Sequence, residues 1–230
     1  MRLGYARSMN QKLFGSRRDR LGDATVVAIF RMDNPEHAVE GISAAVRGGF
    51  EAVEITMNTP DATDALAEVA GRVDAIVGAG TILGPEMVKE AYDAGAEFIV
   101  TPVVVPEIVE AAHELSLPVA LGASTPTEIF AARNAGADWV KVFPAESLGG
   151  PSYIEQILGP LDGTPILCTG GLTAENYLGY LDVGAELVGF ANAVFNADLA
   201  SDGNYEEFER RSIEVHRRLD AYLTEREDQG

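Results

Sequence analysis

From residue 23 onward, short apolar runs alternate with longer stretches that have helical periodicity. Apolar residues of the longer stretches recur at spacings of three and four, and most of these stretches end in glycine, as amphipathic helices do. The short runs are rich in β-branched residues and are followed by turn-forming residues, which is typical of strands. The eight predicted strands are residues 25 to 31, 52 to 57, 75 to 81, 98 to 102, 118 to 124, 139 to 144, 165 to 170 and 186 to 192.

Eight strand–helix units predict a parallel sheet covered by helices, and eight units close most naturally into a single (β/α)₈ TIM barrel. We assign the barrel to residues 24–222, an N-terminal helix with a loose tail to residues 1–23, and a C-terminal tail to residues 223–230. An open doubly wound sheet is the alternative. Against it, the GAG at 78 to 80 is only part of a dinucleotide-binding GxGxxG motif.

Two charged residues interrupt the apolar strands, Lys141 in WVKVFP and Glu54 in AVEITM. Alternation along the sixth strand places Val140 and Val142 on the helix-covered outer face, so Lys141 should point into the barrel. The same alternation along the second strand should turn Glu54 inward. The sequence therefore predicts a lysine and a glutamate inside one barrel.

A buried lysine beside a buried carboxylate has two interpretations. The pair can be a structural ion pair, although such pairs often stabilise a fold no more than apolar residues would. Alternatively, burial favours the neutral amine, which attacks ketones to form a Schiff base, and the carboxylate moves the protons. We favour the second interpretation, with Lys141 as the nucleophile and Glu54 as the proton carrier.

Five motifs occur in the order and spacing of a known family: EITMNTP (54 to 60), GAGT (78 to 81), TP (101 to 102), KVFPAE (141 to 146) and TGG (169 to 171). Over residues 24 to 215 the chain resembles the 2-keto-3-deoxy-6-phosphogluconate (KDPG) and 4-hydroxy-2-oxoglutarate aldolases. This resemblance implies a class I aldolase that splits KDPG into pyruvate and glyceraldehyde 3-phosphate, with a role in the Entner-Doudoroff pathway. It also implies a homotrimer.

The resemblance assigns Lys141 as the Schiff-base lysine and Glu54 as the general acid/base. The residues that it implies for binding the substrate are Arg31, Thr81, Pro102, Phe143 and Thr169, and those for the phosphate are Gly170, Gly171 and Asn192. Two of these residues have simpler explanations, because Arg31 can be a surface residue at a strand end and Thr81 can cap the following helix. The glycine pair should precede a helix that begins near Thr173.

The chain departs from the family pattern at two places. Many members have an arginine at the position of Asn58, which leaves Arg31 as the evident cation for a substrate carboxylate. The loop after the eighth strand usually reads Gly-Ser, whereas this chain has Ala191 and Asn192. Asn192 can donate a hydrogen bond in place of the serine. Otherwise the substrate is 4-hydroxy-2-oxoglutarate or an unphosphorylated 2-keto-3-deoxy sugar acid.

Composition limits the choice of partner and compartment. The net charge of −19 argues against nucleic acid and anionic membranes, which favours small molecules, here a keto acid and an aldehyde. The single cysteine, Cys168, and the lack of a signal-like or membrane-spanning apolar run predict a cytoplasmic protein. Only three of the 17 basic residues are lysines, and we hypothesise an acidic surface suited to a salt-rich cytoplasm.

No cofactor or metal is expected. His37, His113 and His216 lie far apart in helical stretches without ligand spacing, and a Schiff-base lysine supplies its own electron sink. Two other function classes remain open. One is a phosphate-binding barrel isomerase, and the other is a non-catalytic binding protein that has kept the fold.

Overall fold

The computed structural model describes residues 2–228, with side chains from residue 11 onward. Eight parallel strands pair in sequence order, and the eighth pairs with the first, which closes a barrel. The predicted (β/α)₈ barrel is confirmed, and the open doubly wound sheet is wrong. The strands are β1 (Val26–Phe30), β2 (Ala52–Thr56), β3 (Ile76–Gly80), β4 (Phe98–Val100), β5 (Val119–Ala123), β6 (Trp139–Val142), β7 (Ile166–Thr169) and β8 (Leu187–Phe190).

One helix precedes β1, and the other described helices follow the strands and cover the outside of the barrel. They are α1 (Arg2–Ala24), α2 (Pro35–Arg47), α3 (Ala62–Arg72), α4 (Pro85–Asp93), α5 (Pro106–Glu114), α6 (Pro126–Asn134), α7 (Gly150–Leu158), α8 (Tyr177–Asp182), α9 (Ala197–Ser201) and α10 (Tyr205–Glu227). Proline opens α2, α4, α5 and α6, where its fixed φ suits the first turn and its missing N–H costs no hydrogen bond. None of the described helices is both long and apolar enough to cross a membrane.

The strands separate two apolar cores. Val140 and Val142 belong to the larger core, between the barrel and its helices, whereas Trp139 belongs to a smaller core inside the barrel. Val53 and Ile55 likewise face the helices. The predicted alternation along β2 and β6 is therefore confirmed. Cys168 also lies in the outer core, where burial raises the pKa of its thiol.

Helix α1 closes the barrel at the N-terminal ends of the strands. Leu21 and Ala24 pack into the inner core, and Arg17 donates to the carbonyls of Leu115 and Ser116 at 3.5 and 3.2 Å. The described backbone is helical from Arg2 to Ala24, so the loose tail expected in this segment is wrong for these residues. Residue 1 and the side chains of Arg2 and Arg7 lie outside the described part of the chain.

Two predicted helix boundaries are also wrong. Helix α10 continues to Glu227, into the segment 223–230 assigned to a C-terminal tail, while residues 229 and 230 lie outside the described chain. Helix α8 begins at Tyr177 rather than near Thr173. The N–H of Thr173 donates to the side-chain oxygen of Asn176, and the Thr173 hydroxyl accepts from the N–H of Glu175. These local side-chain bonds compete with the helix and hold residues 173–176 in a turn.

Candidate active site

One cavity of about 330 Å³ opens at the C-terminal ends of the strands. All ten residues that the sequence singles out line it: Arg31, Glu54, Thr81, Pro102, Lys141, Phe143, Thr169, Gly170, Gly171 and Asn192. They come from seven different strand ends, so only closure of the barrel brings them together. The rest of the lining consists of five residues without a role predicted from the sequence: Ile29, Thr56, Leu172, Ala191 and Ala193.

Lys141 and Glu54 meet inside this cavity. Lys141 is 8% exposed and Glu54 is fully buried, and the lysine Nζ lies 3.9 Å from the Glu54 Oε1. This separation is too long for a hydrogen bond. Neither Glu54 carboxyl oxygen has a hydrogen-bond partner among the described residues. A buried ion pair without hydrogen bonds is a poor stabiliser, so the geometry argues against a purely structural pair.

The surroundings of Glu54 favour its neutral form. Burial raises the pKa of the carboxyl, and the positive charges of Lys141 and Arg31 oppose the rise without cancelling it. A carboxyl with a raised pKa can give and take a proton closer to neutral pH than an exposed one. The site therefore contains an amine and a proton-transfer group within reach of each other.

Gly80 makes room for Glu54. It lies on the neighbouring strand β3, in register beside Thr56 of β2. A Cβ atom at position 80 would lie 1.7 Å from the Glu54 Oε1, which is a direct overlap. The GAGT motif contains this glycine, but only the pairing of β2 with β3 reveals its function.

Two of the predicted binding residues, Arg31 and Thr81, lie directly after a strand, at the start of a loop. Thr81 does not cap α4, whose N-cap is Gly84; it has a φ of 59°, in the left-handed region that is uncommon for threonine. Arg31 is exposed at the mouth of the cavity, so its position at a strand end agrees with both of its interpretations. The buried Thr56 hydroxyl donates to the carbonyl of Phe30, next to Arg31 in sequence, at 3.3 Å.

Two loops that line the cavity contain backbone N–H groups without a hydrogen-bond partner in the described chain. Residues 170–172 follow β7 and residues 191–193 follow β8, and all six line the cavity. No hydrogen bond within the described part of the chain uses the N–H groups of these residues. Gly170 and Gly171 have φ values of 89° and 84°, which glycine adopts without strain. Such clusters of backbone amides without protein partners suit an anion.

Phe143 and Asn58 differ in their relation to the cavity. The Phe143 ring is 42% exposed and its centroid lies 5.9 Å from the Lys141 Nζ, so it forms a wall beside the amine. Asn58 is exposed and does not line the cavity. Asn58 therefore brings no charge to the cavity.

Known proteins resemble this chain over most of its length. The family model for KDPG and KHG aldolases matches residues 18–211. The KHG/KDPG aldolase of Escherichia coli is 34% identical over 191 residues, which cover 83% of this chain and 90% of the relative. The 2-dehydro-3-deoxy-phosphogluconate aldolase of Dickeya dadantii is 35% identical over 182 residues, covering 79% and 85%. The chain belongs to the KDPG and KHG aldolase family. The resemblance and the enzyme class predicted from the motifs are thereby confirmed.

A solved structure matches this aldolase over the whole barrel. It is the KDPG aldolase of Legionella pneumophila with pyruvate captured as a covalent carbinolamine, at a TM-score of 0.79 and 24% identity, covering 86% of this chain and 97% of the other. At this identity the match supports the fold alone. The described residues of this aldolase contain no group of three or more His, Cys, Asp or Glu side chains placed to hold a metal ion.

Proposed function

We propose that this aldolase cleaves a 2-keto-3-deoxy acid through a Schiff base on Lys141, most directly KDPG to pyruvate and glyceraldehyde 3-phosphate. The observation that carries the proposal is the buried Lys141 amine, 3.9 Å from a buried carboxyl that has no hydrogen-bond partner among the described residues. An amine in this setting acts as a nucleophile, and the carboxyl acts as its proton carrier. The reaction needs no metal or organic cofactor.

The first steps attach the substrate to the lysine. The Nζ lone pair attacks the ketone carbon while the ketone oxygen takes up a proton from the Glu54 carboxyl, which gives a carbinolamine. Glu54 accepts the amine proton and returns it to the hydroxyl, which leaves as water, and a cationic iminium remains. The raised pKa of Glu54 suits it to both directions of transfer.

Cleavage then uses the iminium as an electron sink. Glu54, now a carboxylate, removes the proton from the hydroxyl on the fourth carbon. The bond between the third and fourth carbons then breaks, and its electron pair moves into the iminium to form an enamine. The aldehyde leaves at this point. Glu54 returns that proton to the third carbon of the enamine, which gives the iminium of pyruvate. Addition of water to this iminium releases pyruvate and restores both the amine and the Glu54 carboxyl, so no group is consumed.

Five residues around Lys141 are assigned to bind the substrate. Arg31 is the cation for the substrate carboxylate, and its planar guanidinium can form two parallel hydrogen bonds. The Thr169 hydroxyl is buried in the cavity without a partner in the described chain, which supports a role as a donor to the substrate. Thr81 and Pro102 are assigned as contacts with the pyruvate portion or the substrate chain, and Phe143 is assigned to pack beside the imine.

The phosphate is assigned to the amides of Gly170 and Gly171 on one loop and to Asn192 on the other. Helix α8 has only six residues and begins at Tyr177, so the amides of the loop, not a helix N-terminus, carry this assignment. Asn192 takes the place of the usual serine and lines the cavity. That departure also supports a second substrate class, 4-hydroxy-2-oxoglutarate or an unphosphorylated 2-keto-3-deoxy acid, which would leave the two loops unused.

Borohydride trapping tests the Schiff base. We expect incubation with pyruvate and sodium borohydride to add a reduced pyruvyl group to Lys141, located by peptide mass spectrometry. Lys89 is an internal control because it is exposed and paired with Asp93 at 2.6 Å. Labelling of both lysines, or of neither, would contradict the proposal and favour an isomerase or a binding protein.

The assembly and the setting are also proposed. A homotrimer is supported by family membership, and exposed large side chains such as Leu83 and Phe130 are available for contact between copies. Light scattering should give a mass of about three chains, and a monomer would contradict it.

A salt-rich cytoplasm is supported by the net charge of −19 and the three lysines. Higher activity and a higher Tm in concentrated KCl are expected.

A further inference from the structure

Glu146 ends the KVFPAE motif, yet it does not line the active-site cavity. Its carboxylate oxygen Oε2 accepts hydrogen bonds from the Tyr180 hydroxyl at 2.7 Å and from the Asn176 side-chain nitrogen at 3.2 Å. Glu146, Asn176 and Tyr180 are called the Glu146 cluster below. Tyr180 is fully buried, and burial followed by the bond to Glu146 raises the pKa of its hydroxyl, which keeps it a donor.

The Glu146 cluster is bonded to the glycine loop. The Asn176 side-chain nitrogen also donates to the carbonyl of Gly171 at 3.1 Å, and the Asn176 side-chain oxygen accepts from the N–H of Thr173 at 2.8 Å. The backbone N–H of Glu146 donates to the carbonyl of Gly170 at 3.1 Å. Position 171 must be glycine here, because a Cβ would lie 2.4 Å from the Glu146 Cβ.

These bonds determine the direction of three amides. The carbonyls of Thr169, Gly170 and Gly171 accept from the Ala145 N–H, the Glu146 N–H and the Asn176 side chain. In a trans peptide the carbonyl of one residue and the N–H of the next point in opposite directions. The N–H groups of residues 170, 171 and 172 are therefore directed away from the Glu146 cluster, on the side of the cavity that these residues line.

We propose that Glu146 is a positioning residue that, through Asn176, aims the amides of residues 170–172 at the anionic end of the substrate. It acts on affinity for that end and not on the chemistry at Lys141. The negative charge of Glu146 opposes anion binding. Its contribution is therefore to accept the hydrogen bonds of Asn176 and Tyr180, which hold Asn176 in place. The inference rests on the proposed function, because the anion is the phosphate assigned to this loop.

Steady-state kinetics of Glu146→Ala test the inference. Loss of the acceptor should raise KM for KDPG by about tenfold with little change in kcat, the effect of losing about one hydrogen bond. KM for the unphosphorylated counterpart and the rate of pyruvate trapping on Lys141 should stay unchanged. Glu146→Gln keeps an acceptor oxygen and should stay within about threefold of the natural enzyme.

Two further variants separate positioning from general damage. Asn176→Ala cuts the same link from the other side and should raise KM for KDPG similarly, and the double variant should be no worse than either single one. Asn176→Ala also provides the test if Glu146→Ala does not fold. Glu155→Ala is the matched control, because Glu155 is exposed on α7 and its side chain has no hydrogen bond or ion pair within the described chain.

The outcomes distinguish this inference from the proposed function. An equal loss on both substrates, a fall in kcat alone, or a lower KM from removal of the negative charge would overturn the role of Glu146. If the natural enzyme itself shows no preference for the phosphorylated substrate, the phosphate assignment fails and this inference fails with it. The Schiff base on Lys141 would stand in that case, because borohydride trapping measures it separately.

Discussion

Charged side chains form close pairs at the N-terminal end of the barrel but not at the C-terminal end. At the N-terminal end, Arg20 of α1 lies 3.1 Å from Glu97, and Arg18 lies 3.5 Å from Asp138 and 5.0 Å from the centroid of the Trp139 ring. At the C-terminal end, Glu54 is buried without a hydrogen bond in the described chain, and its nearest cation is 3.9 Å away.

This difference indicates that the N-terminal end of the barrel contributes mainly to stability and the C-terminal end mainly to activity. Charges at the N-terminal end are paired with each other and close the barrel, whereas polar groups at the C-terminal end remain available to a substrate. Substitutions at the C-terminal end should therefore change catalysis more than stability, and those at the N-terminal end should do the reverse.

Lys141→Ala should have the largest effect. Without the amine no Schiff base forms, so turnover should fall by at least about 10⁴-fold, measured as pyruvate release from KDPG. The Tm should change little, because the Lys141 amine makes no hydrogen bond in the described chain and lies 3.9 Å from the Glu54 Oε1. Normal turnover by this variant would remove Lys141 from the mechanism.

Glu54→Gln comes next, with an expected fall in kcat of about 10² to 10⁴-fold.

The stability that Glu54 contributes to the natural protein should depend on pH in a defined direction. Because the folded pKa is raised, the contribution of the neutral carboxyl is fully present below its ordinary value of 4.5 and is lost as pH rises through the folded pKa.

Glutamine does not titrate, so only the natural protein should lose stability as the pH rises. The Tm of Glu54→Gln minus that of the natural protein should therefore increase from pH 4.5 upward. Calorimetry across this range measures it, with Glu155→Gln as the exposed control. A gap that narrows with rising pH would mean that the folded pKa is not raised.

Arg17→Met tests the N-terminal end. The change removes donors to the carbonyls of Leu115 and Ser116 and should lower the free energy of unfolding by about 1–3 kcal/mol. Urea unfolding measures the loss, and kcat should be unchanged. A variant of natural stability but reduced kcat would reverse the proposed division between the two ends.

Arg20→Gln should have the smallest effect. Arg20 and Glu97 are partly exposed, with side chains 47% and 27% accessible, so their pairing should contribute less than about 1 kcal/mol. Concentrated salt should shrink the difference further. A loss as large as that of Arg17→Met would show that the exposed pair is more important than its geometry indicates.

The strands were predictable because parallel strands buried on both faces consist of nearly continuous apolar residues. Against that background Lys141 and Glu54 stand out, and alternation alone assigns them to the inner face. Burial and amine chemistry predict the roles of Lys141 and Glu54, whereas the family resemblance implies those of the other eight site residues. Their positions around one cavity agree with those roles, and the roles themselves stay predictions.

Other features depend on contacts that no local pattern records. Helical periodicity predicted a start near Thr173, but the Asn176 side chain bonds to the backbone there and delays the helix to Tyr177. Gly80 and Glu146 stand in quoted motifs, yet their functions depend on neighbours on other strands and loops. Such neighbours are known only after the barrel has closed.

The overlap that a Cβ at position 80 would make with Glu54 has an evolutionary consequence. Alanine is ordinarily the mildest replacement for glycine in a strand, yet at this position it would force the carboxyl out of place. A saturation mutagenesis screen should therefore find position 80 as intolerant as the catalytic positions, although glycine has no reactive group. Natural variation at position 80 should therefore be limited by the space that the Glu54 carboxyl needs as strongly as variation at Glu54 is limited by its chemistry.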